Sequence, residues 1–203
     1  MSRIYLASRS PRRRELLRQI GVAFEIVLLR EDVRRNLDVD ESPLSGETAQ
    51  EYAVRIAARK AELAAYFLGR RTLPMLPVLA ADTTVVCDGR IFGKPSDRDD
   101  AVRMLEALSG RAHQVVSAVA VSNEQQQMEH AVSVSNVWFR PLSGDEISRY
   151  AATGEPTDKA GAYAIQGRAA AFVQRIEGSY SGIMGLPLAE TAELLTRAGM
   201  QVI

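Results

Sequence analysis

Three consecutive arginines, Arg12, Arg13 and Arg14, follow two serines, Ser8 and Ser10, in the stretch LASRSPRRRELLRQIG. Guanidinium forks grip phosphate oxygens, and a helix N-terminus offers free N–H groups and a partial positive charge to the same anion. In the first turn of a helix the arginines oppose the dipole, so a phosphate compensates them or they point into water. Asp82 raises a second question, since it lies between the apolar runs PVLAA and TTVVC. A carboxylate there is costly unless it is paired, protonated or bound to a metal ion. It is therefore a satisfied structural acid or a functional one, and the end of a buried strand is where α/β sheets carry function. Lys60 is the third such residue: it either snorkels to water or reaches a ligand.

These residues need a frame. IYLA is a short β-prone run, Ser10 is a good N-cap, Pro11 fits the first helical position, and Leu16, Leu17 and Ile20 recur at helical spacing before Gly21. VAFEIVLL predicts a second strand, followed by a polar loop that ends in a helix start near Glu47 and Thr48. That helix runs to Leu68 with Tyr52, Ile56, Leu63 and Phe67 on one face and Lys60 near its edge. PVLAA predicts a buried strand, and TTVVC and RIF a short hairpin around Asp88-Gly89. A helix capped by Ser96 or Asp97 and stopped at Gly110 comes next, then two long strands, QVVSAVAVS and EHAVSVSNVWF, around a polar turn. The helix SGDEISRYAATGE, the glycine-rich loop DKAGAYAIQG, the strand AAFVQRIEG and the helix LPLAETAELLTRAG complete the order. Crossovers mixed with a meander predict an α/β chain with a mixed sheet.

Composition narrows the class. The 203 residues are 46% hydrophobic and 25% charged, which suits one compact domain or two closely packed lobes. Lysine plus arginine equals aspartate plus glutamate at 25 each, so no global basic field favours nucleic acid and any attraction for phosphate is local. One cysteine, Cys87, excludes an intrachain disulfide, and His113 and His130 leave little for a histidine-rich metal site. The chain reads as cytoplasmic, with no membrane span. His113, Cys87, Trp138 and Phe139 read as packing or surface residues.

The segments LASRSPRR, VDES, RKA, AADTTV, GKP, LSG, DKAGAYAIQG and GLPL, in that order, resemble the Maf family of nucleotide pyrophosphatases across nearly the whole chain. The resemblance implies a single domain over residues 1–203 with the fold shared by Maf proteins and inosine triphosphatases: a mixed, largely antiparallel sheet flanked by helices, in two lobes around a nucleotide cleft. It implies hydrolysis of a nucleoside triphosphate between its α and β phosphates, giving monophosphate and pyrophosphate, with Mg²⁺ or Mn²⁺. Carried over by motif, Asp82 is the catalytic acceptor. Ser8, Arg12, Arg13, Lys60, Thr83, Lys94 and Gln166 bind substrate, and Glu41 joins Asp82 at the metal. Glu31 or Asp32 competes with Glu41, which is preferred for its spacing to Lys60. SPRR, ADT and IQG are similar to the branch acting on dTTP and UTP, and a homodimer is the family expectation. Where the family motif has glycine this chain has Ala164, which forgoes a positive φ or a close backbone approach to the base.

On that basis Arg12, Arg13, Lys60 and Lys94 meet the triphosphate, and the carboxylates supply what cations alone lack. Asp82 is base, ligand or both, and Gln166 and Thr83 read a pyrimidine edge. Two other readings remain: a nucleotide-responsive binding protein in cell-division control, which needs the cations but not Asp82, and a pyrophosphatase for 7-methyl-GTP or other modified nucleotides.

Overall fold

The computed structural model describes residues 3–27, 39–70 and 73–202. Strand β1 (Arg3–Leu6) leads into helix α1 (Pro11–Gln19), which begins where expected because the Ser10 hydroxyl accepts from the Arg13 N–H at 3.4 Å and Pro11 needs no partner of its own. Strand β2 (Ala23–Ile26) pairs parallel to β1 with Ile4 opposite Phe24. The end of the expected second strand, Leu28 and Leu29, and the competing acids Glu31 and Asp32 lie outside the described residues.

Helix α2 (Ala49–Leu68) opens on a capping box between Thr48 and Glu51. Its buried face is Tyr52, Ala53, Ile56, Ala57, Ala61, Ala64 and Leu68. Leu63 and Phe67 are only half-buried, so the expected stripe is rotated. Alanines allow close approach, and the larger residues cover the margin.

Strand β3 (Val78–Cys87) pairs parallel to β1 on the side away from β2, with Tyr5 opposite Val78 and Leu6 opposite Leu79. The chain thus leaves β1 for β2 on one side and returns past it to β3 on the other. This is a switch point, and ligands collect at the carboxyl ends of strands beside such points. Asp82 lies within β3 rather than after it, three positions beyond the partner of Leu6. Strand β4 (Arg90–Phe92) closes an antiparallel hairpin on β3, and positive φ at Asp88 (48°) and Gly89 (74°) makes the tight turn read from the sequence.

Helix α3 (Arg98–Leu108) is capped by Asp97, which accepts from the Asp100 N–H at 2.7 Å. Strands β5 (Ala112–Ser122) and β6 (Met128–Phe139) are joined by a turn that the Asn123 N–H closes on the Gln127 carbonyl at 3.0 Å. Helix α4 (Gly144–Ala151) carries a second capping box, between Ser143 and Glu146. Three short 3-10 turns build the glycine-rich stretch, the last of which, Arg168–Phe172, takes up residues expected at the head of the next strand. Strand β7 (Val173–Glu177) pairs antiparallel to β6, and two helices follow: α5 (Tyr180–Met184), absent from the sequence reading, and α6 (Leu188–Arg197). Among the described residues the sheet is mixed and seven-stranded, in the order β2-β1-β3-β5-β6-β7 with β4 on β3.

The chain divides into two compact units, one of residues 1–82, 117–132 and 185–203, the other of 83–116 and 133–184. The first buries Ile4, Leu6, Leu16, Leu17, Ile56, Leu79 and Leu195. The second is built on an aromatic cluster in which Phe139 meets His113, Tyr163 and Phe172 edge-on, with Tyr150 edge-on to Phe172. Among the described residues no helix is long and apolar enough to cross a membrane.

Candidate active site

In the first unit the two carboxylates expected at the metal converge on Lys60. This residue stands on the flank of α2 and is 17% exposed, and its ammonium lies 2.8 Å from Asp82 Oδ1 and 2.6 Å from Glu41 Oε1. Asp82 is 8% exposed, which the ion pair makes tolerable. Lys60 is thus neither a snorkelling lysine nor a spare charge.

Glu41 sits in a loop with no regular structure, yet that loop is fixed. The Tyr52 hydroxyl donates to the Glu41 carbonyl at 2.9 Å, and Arg55, one turn on, donates to the Ser42 carbonyl at 3.0 Å and grips both oxygens of Glu47 at 2.5 and 2.7 Å. That forked bond holds the Glu47 carboxyl down at about 2. Burial, and then the nearby charges of Asp82 and Glu41, push the Tyr52 hydroxyl well above its usual range, so it stays a donor. Sequence reasoning missed Tyr52 as a donor and Arg55 altogether. The only trace of them is their spacing of three, which puts both on the side of α2 that faces the loop.

The arginines divide. Arg13 is partly buried: its Nε donates to the Gly185 carbonyl at 2.7 Å and its Nη1 to the Ser8 hydroxyl at 3.3 Å. Burial lowers its pKa, an effect that Asp82 and Glu41 oppose and Arg12 reinforces, which places Arg13 in the field of the acidic pair. Ser8 also accepts from the Ser10 N–H at 3.2 Å. Arg12 is partly exposed, and no side-chain hydrogen bond holds it among the described residues. Arg13 is therefore tied into the connection after β1.

The second unit holds Thr83, Lys94 and Gln166. Thr83 follows Asp82 in β3 and is half-buried, Lys94 is exposed just after β4, and Gln166 is exposed at the corner of a turn closed by the Gly167 N–H on the Ala164 carbonyl at 3.0 Å. The expectation for Ala164 needs correcting in its place. The positive-φ residues of this loop are Gly161 (68°) and Ala162 (59°), and Ala164 is not among them. An alanine at 164 therefore costs the backbone nothing by φ. His113 is a packing histidine, 3% exposed, with Nε2 2.9 Å from the Tyr163 hydroxyl, and Asp158 and Lys159 form an ion pair in the glycine-rich stretch.

Two carboxylates that share one ammonium form an oxygen donor set, the kind that Mg²⁺ and Mn²⁺ take. Among the described residues no group of three or more acidic, histidine or cysteine side chains gathers. A divalent ion held by Glu41 and Asp82 would need further oxygens from phosphate and water, which is how Mg²⁺ is commonly bound beside nucleotides. The residues fit such an ion.

The model of the family described as Maf-like protein matches residues 3–198. The chain belongs to the Maf family. Maf relatives named dTTP/UTP pyrophosphatase include one from Aromatoleum aromaticum and one from Nitrosomonas europaea, each 56% identical over 98% of this chain and 96% of the relative. Among solved structures a HAM1 protein from Coxiella burnetii shares the fold of this Maf chain, with a TM-score of 0.50 and 22% identity over 97% of this chain and 100% of that one.

Proposed function

We propose that this chain hydrolyses dTTP and UTP to the monophosphate and pyrophosphate, and so limits modified or non-canonical nucleotides. The observation that carries the chemistry is the convergence of Glu41 and Asp82 on Lys60 beside the Arg12–Arg13 turn. Relatives at 56% identity that bear the name dTTP/UTP pyrophosphatase support the choice of substrate.

Arg12 binds the phosphates through forked, charge-assisted bonds, with Arg13 and Ser8 holding the turn that carries it. Lys60 and Lys94 add point charges against the negative charge that grows on the leaving pyrophosphate. Asp82 takes the proton of the water that attacks phosphorus in line, and Lys60 orients that carboxylate until then. Glu41 and Asp82 hold a divalent cation that, when bound, neutralises phosphate charge and acidifies a coordinated water. Gln166 and Thr83 offer paired donor and acceptor groups to the pyrimidine edge. The reading makes residues 1–203 one functional domain. It takes a cytoplasmic location and the absence of nucleic-acid partners from composition and charge, and a homodimer from the family resemblance.

The test is pyrophosphate release from dTTP, UTP, CTP, the purine triphosphates and 7-methyl-GTP, with Mg²⁺ or Mn²⁺. Metal-dependent release from dTTP and UTP supports the reading. Release from 7-methyl-GTP alone would replace the substrate, and none from any nucleotide would leave a binding protein.

A further inference from the structure

Gln166 is exposed immediately after a buried run, Gly161–Ile165, so something must hold its turn against the pull of solvent. The turn's own bond, from the Gly167 N–H to the Ala164 carbonyl, fixes its width but not its place. Its place is fixed from outside. The Arg168 N–H donates to Glu155 Oε2 at 3.2 Å, and the Ala164 N–H donates to the Tyr150 hydroxyl at 3.3 Å. That hydroxyl in turn donates to Glu155 Oε1 at 2.9 Å. One carboxylate thus reaches both flanks of the turn.

We propose that Glu155 is a positioning residue for base recognition, pinning the turn that presents Gln166 directly at Arg168 and through Tyr150 at Ala164. The inference rests on the proposed function, and it gives a catalytic domain an orienting group that touches neither phosphate nor base.

Further observations bear on it. The space beside Gly167 is filled by this carboxylate: a Cβ at 167 would lie 2.3 Å from Glu155 Oε1 and 2.6 Å from its Cδ. Glycine at 167 is what lets Glu155 close on the turn. Glu155 is itself placed by the chain around it. Its N–H donates to the Thr153 hydroxyl at 3.2 Å, and Pro156 after it is buried. Tyr150, 4% exposed, is wedged edge-on against Phe172, so its hydroxyl cannot swing away without breaking that packing. On the other flank Tyr163 is held by the His113 contact and by Phe139. The carboxylate therefore acts inside a rigid surround. A hydrogen-bonding group displaced by a fraction of an ångström loses discrimination between bases before it loses the ability to cleave.

The experiment compares wild type with Glu155→Ala, Glu155→Gln, Tyr150→Phe and Gly167→Ala. It measures kcat and KM for dTTP and dCTP, with circular dichroism and melting temperature as the check on folding. We expect Glu155→Ala to raise KM for dTTP about tenfold and lower the dTTP-to-dCTP ratio of kcat/KM about fivefold, with kcat held within about threefold. Gly167→Ala should do the same by expelling the carboxylate, and its effect should not add to that of Glu155→Ala. Glu155→Gln keeps an acceptor for Tyr150 and should recover part of the ratio. A folded Glu155→Ala protein with wild-type KM and ratio overturns the assignment. So does an equal loss for every nucleotide together with a fallen melting temperature, the mark of a merely structural residue. If Glu155→Ala does not fold, Glu155→Gln and Tyr150→Phe decide by the same ratio. A wild-type protein that cleaves no pyrimidine triphosphate overturns the proposed function instead, and the assignment with it.

Discussion

Lys60 and Asp82 face one another across 2.8 Å, a lysine from the edge of a helix meeting an acid from the interior of a strand. The same ammonium reaches Glu41 at 2.6 Å, so one cation holds two carboxylates that would otherwise repel. On the proposed function, a nucleotide that arrives with its cation would find the acids already gathered and Lys60 beside them. Preorganisation of this kind lowers the reorganisation that catalysis would otherwise require.

Asp82→Asn should separate cleavage from binding. The amide keeps the size of the side chain but cannot take a proton from water, so kcat should fall by about 10²–10⁴, the usual worth of a general base. Nucleotide affinity, measured by calorimetry without turnover, should stay within about threefold, because the cations that grip phosphate remain. Unchanged turnover would remove Asp82 from the chemistry.

Lys60→Met should be costly to folding as well as to activity. It leaves Asp82 buried without the ammonium that lies against it, and the loss of a charged hydrogen-bond partner by a buried group is worth about 1–3 kcal/mol. Urea unfolding reads this as a lower midpoint with an unchanged slope. A stability equal to wild type would mean that water satisfies Asp82 equally well.

The two neighbouring arginines should behave differently, although the sequence presents them alike. Arg13→Ala removes donors to Gly185 and Ser8 and should destabilise the fold by about 1–3 kcal/mol, since it strands the Gly185 carbonyl. Arg12→Ala should leave the melting temperature in place and raise KM for dTTP about tenfold or more, the cost of one forked phosphate contact. Equal effects on stability would show that Arg12 is structural too.

Much of this was legible in the sequence, and the division follows the range of the forces involved. Ser10, Pro11, Thr48 and Asp97 announced their helix starts because capping is local, and Asp88-Gly89 announced its turn because few residue pairs accept two positive φ angles. The Maf motifs supplied Asp82, Lys60 and Glu41. What escaped depends on partners distant in the chain. Arg13 reads as a phosphate ligand, and nothing in the sequence announces that Gly185, 172 residues away, also accepts its Nε–H. Leu63 and Phe67 looked like the buried stripe of α2, yet Ala57, Ala61 and Ala64 are the residues buried beside them. Residue 164 drew attention as the departure from a glycine motif, whereas the positive φ falls at 161 and 162. Periodicity reports which side of an element is apolar, but not which backbone atom across the fold will need a donor.

His113 should make stability fall in mild acid. Its ring is buried against Phe139 and Tyr163, and burial lowers its pKa to about 4. Among the described residues its Nδ1 has no hydrogen-bond partner, so no acceptor is at hand for a second proton. In the unfolded chain the imidazole binds a proton near its ordinary pKa of about 6.5. Between those values the unfolded state carries one more proton than the native state, so stability rises with pH through that window. Above about pH 6.5 the native protein is at full strength, and as pH falls toward 4 it loses about 1.4 kcal/mol per unit, about 3 kcal/mol in all. His113→Phe should flatten that part of the curve while keeping the ring packed, though it leaves the Tyr163 hydroxyl without its imidazole partner and so lowers stability at neutral pH. Urea midpoints of both proteins from pH 4 to 8 check this, and parallel curves would assign the acid sensitivity to other groups.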